Sequence, residues 1–119
     1  MDDVQVEKRI VLAAGLDEAW GVVLDFASWF CHAADVSEIA TGRRAEFSWG
    51  RQTRAAVFED VEEPRYLAFR WLPFVRGEDG EAVPRPQARV EISLTPVDEG
   101  VEIVVVERRM DDALAGATA

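Results

Sequence analysis

Few side chains in this sequence are spaced for chemistry, and they cluster at residues 31–32, 77–81 and 107. His32 is the only histidine and Cys31 the only cysteine, and they are neighbours. A zinc site built on His32 would need carboxylate or further thiolate ligands, and adjacent residues rarely chelate one ion. A Cys–His nucleophile pair fails similarly, because sequence neighbours seldom align sulfur with imidazole. The two read as the end of a short helix beside a pocket mouth. Gly77-Glu78-Asp79-Gly80-Glu81 lacks the lysine and hydroxyl of a phosphate loop, and its acids would repel phosphate. Glu107 is different. Val101, Ile103 and Val105 share one face of a strand, and the alternation carries Glu107 onto that face at the strand's end. A carboxylate there could orient a ligand or do acid–base work; a one-residue slip at a bulge would present Arg108 instead. Arg54 and Arg70 are expected on the outer face of the sheet, solvated or ion-paired. No catalytic residue, metal or cofactor is assigned, and binding without evident catalysis is the expectation.

The aromatic residues carry more information. Trp20, Trp29, Trp49 and Trp71, with Phe47, Phe58 and Phe69, fall on helices and on strand faces that the apolar pattern turns inward. Aromatics of this size form cores, and they also line ligand cavities, whose walls are apolar with few polar groups. Both readings stay open. The candidate cavity set is therefore Trp20, Trp29, Phe47, Trp49, Phe58, Phe69, Trp71, Ile103 and Glu107.

The elements that would position these residues follow from period. Val4 to Leu12 alternates at Val4, Val6, Lys8 and Ile10, an opening strand with one apolar face. After Gly15, Leu16, Trp20, Val23 and Leu24 form a helical stripe over residues 16–25, with Asp17 and Glu18 suiting the positive end of its dipole. Residues 26–31 are too apolar for a solvated loop and predict a second short helix. From residue 43 the period becomes two. Strands are expected over 44–49, 53–61, 66–71, 87–95 and 101–109, with turns at Gly50-Arg51, Glu63-Pro64-Arg65 and Asp98-Glu99-Gly100. An irregularity is expected near the end of the 53–61 strand. Residues 73–86, with three prolines and two glycines, predict a mobile loop. Val104 and Val106 would face outward as a small apolar strip that could support homodimerisation.

Clustered helices and clustered strands make an α+β domain with an antiparallel sheet of about six strands. At 119 residues the chain is expected to be one domain, 1–119, with residues 110–119 a short terminal tail. The composition, 49% hydrophobic and 30% charged, is that of a globular protein. A net charge of −10 argues against nucleic acid as a partner. Of thirteen basic residues twelve are Arg and one is Lys8, which reads as compositional bias. No apolar run approaches a membrane span, no secretory leader is evident, and a cytoplasmic location is expected. A sheet with this many inward apolar residues needs a cover, and two short helices supply little of one.

The layout resembles the START-like (SRPBCC) helix-grip superfamily, and specifically the bacterial group similar to the activator of heat-shock-protein-90 ATPase. The resemblance rests on Gly15-Leu16-Asp17-Glu18-Ala19-Trp20, Leu24-Asp25 leading to Trp29, residues 59–71 from Glu59 to Trp71, residues 90–96 from Val90 to Pro96, and Gly100-Val101-Glu102-Ile103. It covers nearly the whole chain. It implies a hydrophobic small molecule bound between the curved sheet and helices. Cyclase- or hydrolase-type chemistry on polyketides in that cavity, for which Glu107 or His32 would be the acid–base group, or a protein-interaction role like that of the chaperone ATPase activators, are its other implications. The family normally ends in a long amphipathic helix gripped by the sheet. After Arg109 ten residues remain, against the roughly 20 that a 30 Å helix needs, so that helix is expected to be absent or truncated.

Overall fold

Gln87 to Thr95 alternates so regularly that one face must be buried, and the computed structural model forms a strand over Ala88–Val97. The structure describes residues 4–77, 79–85 and 87–109. In chain order these form β1 (Val4–Leu12), α1 (Leu16–Leu24), α2 (Phe26–Trp29), β2 (Ala33–Val36), β3 (Arg44–Trp49), β4 (Gln52–Glu62), β5 (Tyr66–Arg76), β6 (Ala82–Pro84), β7 (Ala88–Val97) and β8 (Gly100–Arg109). All strands join one antiparallel sheet in the order β1-β8-β7-β5-β4-β3-β2, with β6 on β5 beyond the end of β7. The expected tail, 110–119, lies outside the described residues. The terminal helix expected to be absent or truncated falls in that same stretch, and among the described residues no helix is long and apolar enough to cross a membrane.

The sheet has eight strands, two more than the pattern indicates. β2 is a four-residue edge strand whose side chains are mostly exposed, so it carries no apolar alternation. β6 replaces the mobile loop expected over 73–86. β5 runs on through Pro73 to Arg76, and Phe74, Val75 and Arg76 pair with Pro84, Val83 and Ala82. Pro73 is tolerated because it sits where the ladder is already broken: Ala55 alone faces residues 72–74 between the pairs Ala56–Trp71 and Arg54–Val75. A second irregularity, at Glu59 between Phe58 and Asp60, lies near the end of β4 as the sequence indicates.

Two turns show what their glycines are for. Gly50 has φ +60° in the two-residue β3–β4 connection, a left-handed conformation that costs glycine least. Gly100 has φ +145° after the Asp98-Glu99 turn, and a Cβ there would overlap the Leu12 carbonyl oxygen.

Phe26, Phe47, Phe58 and Phe69 are fully buried together with Leu67, Ile92 and Val101. Phe26 of α2 meets Phe47 edge-on at 5.0 Å between ring centroids, and Phe47 meets Phe69 at 5.4 Å. The helices therefore close one part of the concave face, over β7, β5 and β3, through Ala19, Trp20, Val23 and Phe26.

The convex face is held by charge. Arg9 on β1 reaches Glu102 on β8 at 3.5 Å, Arg108 on β8 reaches Glu91 on β7 at 3.1 Å, and Arg89 on β7 reaches Glu91 at 3.3 Å and Glu59 on β4 at 2.8 Å. Arg70 on β5 also meets Glu59, at 2.8 Å, and so lies outward and ion-paired as expected. Val104 and Val106 face outward within this ladder, half-buried and flanked by Arg9, Glu7, Ser93 and Glu91. Because β8 lies inside the sheet, their strip is not at an edge.

Arg54 is a correction. It lies on the concave side, with its guanidinium carbon 4.6 Å above the Trp71 ring. It alternates with the buried Ala56 and Phe58, and the flat cation is accommodated there because it stacks on an indole face.

Candidate functional site

Where α1 and α2 stop, no other described element covers the concave face toward β1 and β8. A cavity of about 340 Å³ occupies this corner. Its floor is the inward alternation of three strands: Val6, Lys8 and Ile10 of β1, Ile103, Val105 and Glu107 of β8, and Val90 of β7. Val22 and Val23 of α1, Trp29 and Phe30 at the end of α2, and Trp71 of β5 make the wall. The register sets the floor residues side by side, with Val6 opposite Glu107, Lys8 opposite Val105, and Ile10 opposite Ile103.

Hydrogen bonds fix the aromatic wall. Trp29 donates its indole N–H to the Val23 carbonyl at 3.0 Å, a carbonyl that the end of α1 leaves without a helical partner. Trp49 donates to the Phe30 carbonyl at 3.0 Å. Phe30 lies nearly parallel to Trp71, 10° apart with centroids 6.0 Å apart. Several large apolar side chains around the opening remain solvated: Val6, Ile10, Val22 and Trp29 are 41%, 56%, 41% and 40% exposed.

Polar groups are few and grouped. Trp71 donates its indole N–H to Glu107 Oε2 at 3.1 Å, and Arg54 lies over a face of the same ring. Burial lowers the Arg54 pKa; the Glu107 carboxylate opposes that shift and Arg85 adds to it. Glu107 is thus placed in the cavity wall and held by an N–H donor, with a guanidinium close behind it. The one-residue slip that would have put Arg108 inside does not occur; Arg108 points outward to Glu91.

The nine residues singled out from sequence divide. Trp29, Trp71, Ile103 and Glu107 line the cavity. Trp20, Phe47, Phe58 and Phe69 are core beneath it, and Trp49 packs against the core, half-buried. Phe30, Val90, Val105, Lys8, Ile10 and Val6 are lining residues outside that set. Most of them were visible as inward positions of their strands. Phe30 had no period to reveal it.

His32 sits away from the cavity wall, exposed, accepting the Gly50 N–H at Nδ1 at 2.9 Å. Its neighbour Cys31 is buried, with its thiol 3.1 Å from the Ala33 carbonyl oxygen. Burial pushes the Cys31 pKa up, against smaller opposite effects of backbone hydrogen bonds with Ser48 and Ala33. A buried neutral thiol is a poor nucleophile. Among the described residues no group of three or more His, Cys, Asp or Glu side chains could hold a metal ion.

Residues 8–117 match the family model described as activator of Hsp90 ATPase homolog 1-like protein. The chain belongs to that family. No curated protein sequence matches it. Among solved structures, DynU16, described as a putative protein in the dynemicin biosynthetic locus, superposes with a TM-score of 0.71 at 24% identity, over 92% of this chain and 38% of its own. CalU16 from Micromonospora echinospora gives 0.64 at 19% identity, over 93% of this chain and 64% of its own. The AHSA1 protein from Silicibacter pomeroyi gives 0.64 at 14% identity, over 95% and 85%. These likenesses establish the fold of an activator of Hsp90 ATPase homolog 1-like domain. The chain spans less than two thirds of the length of the first two structures.

Proposed function

We propose that this activator of Hsp90 ATPase homolog 1-like domain binds a hydrophobic small molecule in the cavity between β1, β8 and the two helices. The observation that carries this reading is the wall: Trp29, Phe30 and Trp71 facing Val6, Ile10, Ile103 and Val105 around an open space. Four solvated apolar side chains gathered at one opening leave apolar surface that a ligand would remove from water. The volume lies near the lower end of small-molecule sites, which run from about 300 to 1,000 Å³. Two tryptophans line the space, so binding has a direct signal. Saturable quenching or blue-shift of tryptophan fluorescence by aromatic or acyl ligands, lost in Trp71→Phe combined with Trp29→Phe, is the expected result. A broad apolar panel that neither changes the emission nor raises the melting temperature overturns the reading. A cytoplasmic location accompanies it.

A second reading, a polyketide cyclase- or hydrolase-type enzyme, draws on the Glu107 carboxylate in the cavity wall. It requires that Glu107→Gln abolish turnover while ligand affinity persists; turnover that survives the substitution removes it. His32 has no part in this reading, being placed outside the cavity wall.

A further inference from the structure

We infer that the ligand carries an acidic group, a carboxylate on an apolar body, and that Lys8 is the residue that selects it. The inference rests on the cavity reading above and adds the ligand's charge. Lys8 is the only lysine in the chain, against twelve arginines. The arginines of the convex face are spent in ion pairs, whereas Lys8 stands on the inward face of β1, in the floor of the cavity.

Two charged residues line the cavity, Lys8 and Glu107, and they differ in what already engages them. Glu107 is already answered: it accepts the Trp71 N–H at 3.1 Å, and Arg54 lies over the same indole at 4.6 Å. Lys8 is opposite Val105, between Val6 and Ile10 on its own strand, and its side chain makes no hydrogen bond or ion pair among the described residues. Although Lys8 and Glu107 are diagonal neighbours on the sheet, a diagonal pair stands about 7–8 Å apart, and no bond within 4.0 Å joins them. With Glu107 held by the Trp71 N–H, the Lys8 ammonium is the charge of this apolar lining left to meet a ligand. Lys8 is exposed at the opening, and an apolar molecule with a neutral head would make no use of that ammonium. A carboxylate head would instead accept from the exposed ammonium while its body covers the apolar wall, a charge-assisted contact that salt screens.

The test compares 2-naphthoate with its neutral isostere 2-naphthamide, and decanoate with decanol, by isothermal titration at pH 7.5 and low salt. For the wild-type protein each acid is expected to bind about fivefold tighter than its neutral partner, a difference of about 1 kcal/mol. In Lys8→Met the ratio is expected to fall to near one, while Lys8→Arg keeps most of it. Arg9→Met, on the convex face, leaves the ratio as in the wild type. Raising the salt to about 0.5 M should shrink the ratio in the wild type and not in Lys8→Met. Equal wild-type affinity for acid and neutral partner overturns the inference and leaves the cavity reading standing, as does a preference that survives Lys8→Met. If none of the four probes binds, both fall.

Discussion

Trp71 and Glu107 join two strands that are not neighbours: the indole N–H on β5 reaches the carboxylate on β8 across the intervening β7, at 3.1 Å. The sheet must curve for that reach, and the bond ties the curvature to the cavity wall. Removing the acceptor leaves a buried N–H donor and a nearby guanidinium without their carboxylate. Glu107→Leu is therefore expected to destabilise the fold by about 1–3 kcal/mol. Glu107→Gln keeps an oxygen acceptor and should cost under about 1 kcal/mol. Urea midpoints at constant slope decide this; equal losses in the two variants would mean that the indole bond contributes nothing.

Core and cavity aromatics should separate in the same experiment. Phe47 and Phe69 are fully enclosed, so replacing either by Ala should cost about 3–5 kcal/mol and affect ligand binding only by unfolding the protein. Trp29 is 40% exposed, and Trp29→Ala should cost about 1 kcal/mol while strongly weakening any ligand that quenches fluorescence. Chemical denaturation followed by circular dichroism, run beside the fluorescence titration, gives both quantities. A Trp29→Ala protein that binds as the wild type does would take that residue out of the cavity's function.

This division explains how far the sequence could be read. Val90, Ile92 and Leu94, or Leu67, Phe69 and Trp71, announce a buried strand face by period two, and the order of strands followed. Whether an inward aromatic is core or cavity lining depends on where the helices land on the sheet, and the alternation is the same in both cases. Trp20 packs down into the core and Trp29 beside the opening, although both lie in the helical region. β2 stayed hidden because Ala33-Ala34-Asp35-Val36 has no face to bury, and β6 because its three residues, the last of them Pro84, gain strand geometry only from β5. Arg54 misleads on charge alone: its period with Ala56 and Phe58 points inward, and only the indole partner makes that position acceptable.

Gly100 should resist replacement. Its φ of +145° is open essentially to glycine, and an added methyl would overlap the Leu12 carbonyl where β8 begins beside the end of β1. Strain of this kind costs about 1–3 kcal/mol before any clash, so Gly100→Ala should lose about 3 kcal/mol or more. Gly21, whose added Cβ would meet nothing within 4 Å, sits inside α1. There Gly21→Ala should gain about 0.5–1 kcal/mol. Thermal melts of the two variants moving in opposite directions is the expected result, and a neutral Gly100→Ala would contradict the close approach of β1 to the β7–β8 turn.

The buried thiol makes a prediction with a definite sign in pH. Cys31 is 7% exposed, and desolvation by burial raises its pKa above the ordinary 9.0, more than its backbone hydrogen bonds with Ser48 and Ala33 lower it. In the unfolded chain the thiol ionises near its ordinary value; in the folded chain it stays protonated to higher pH. Below pH 9 both states hold the proton and Cys31 adds no pH dependence. Above it the unfolded state loses its proton first, so stability falls as pH rises through the window toward the folded value, by at most about 1.4 kcal/mol per pH unit. Cys31→Ala should remove that alkaline component while leaving the rest of the profile in place, which urea titrations at pH 8 and pH 10 can read. Iodoacetamide at pH 8.5 should alkylate the native protein far more slowly than the urea-unfolded chain, because both exposure and thiolate are lacking in the fold. Equal rates would place the sulfur at the surface and remove the physical basis for the pH effect.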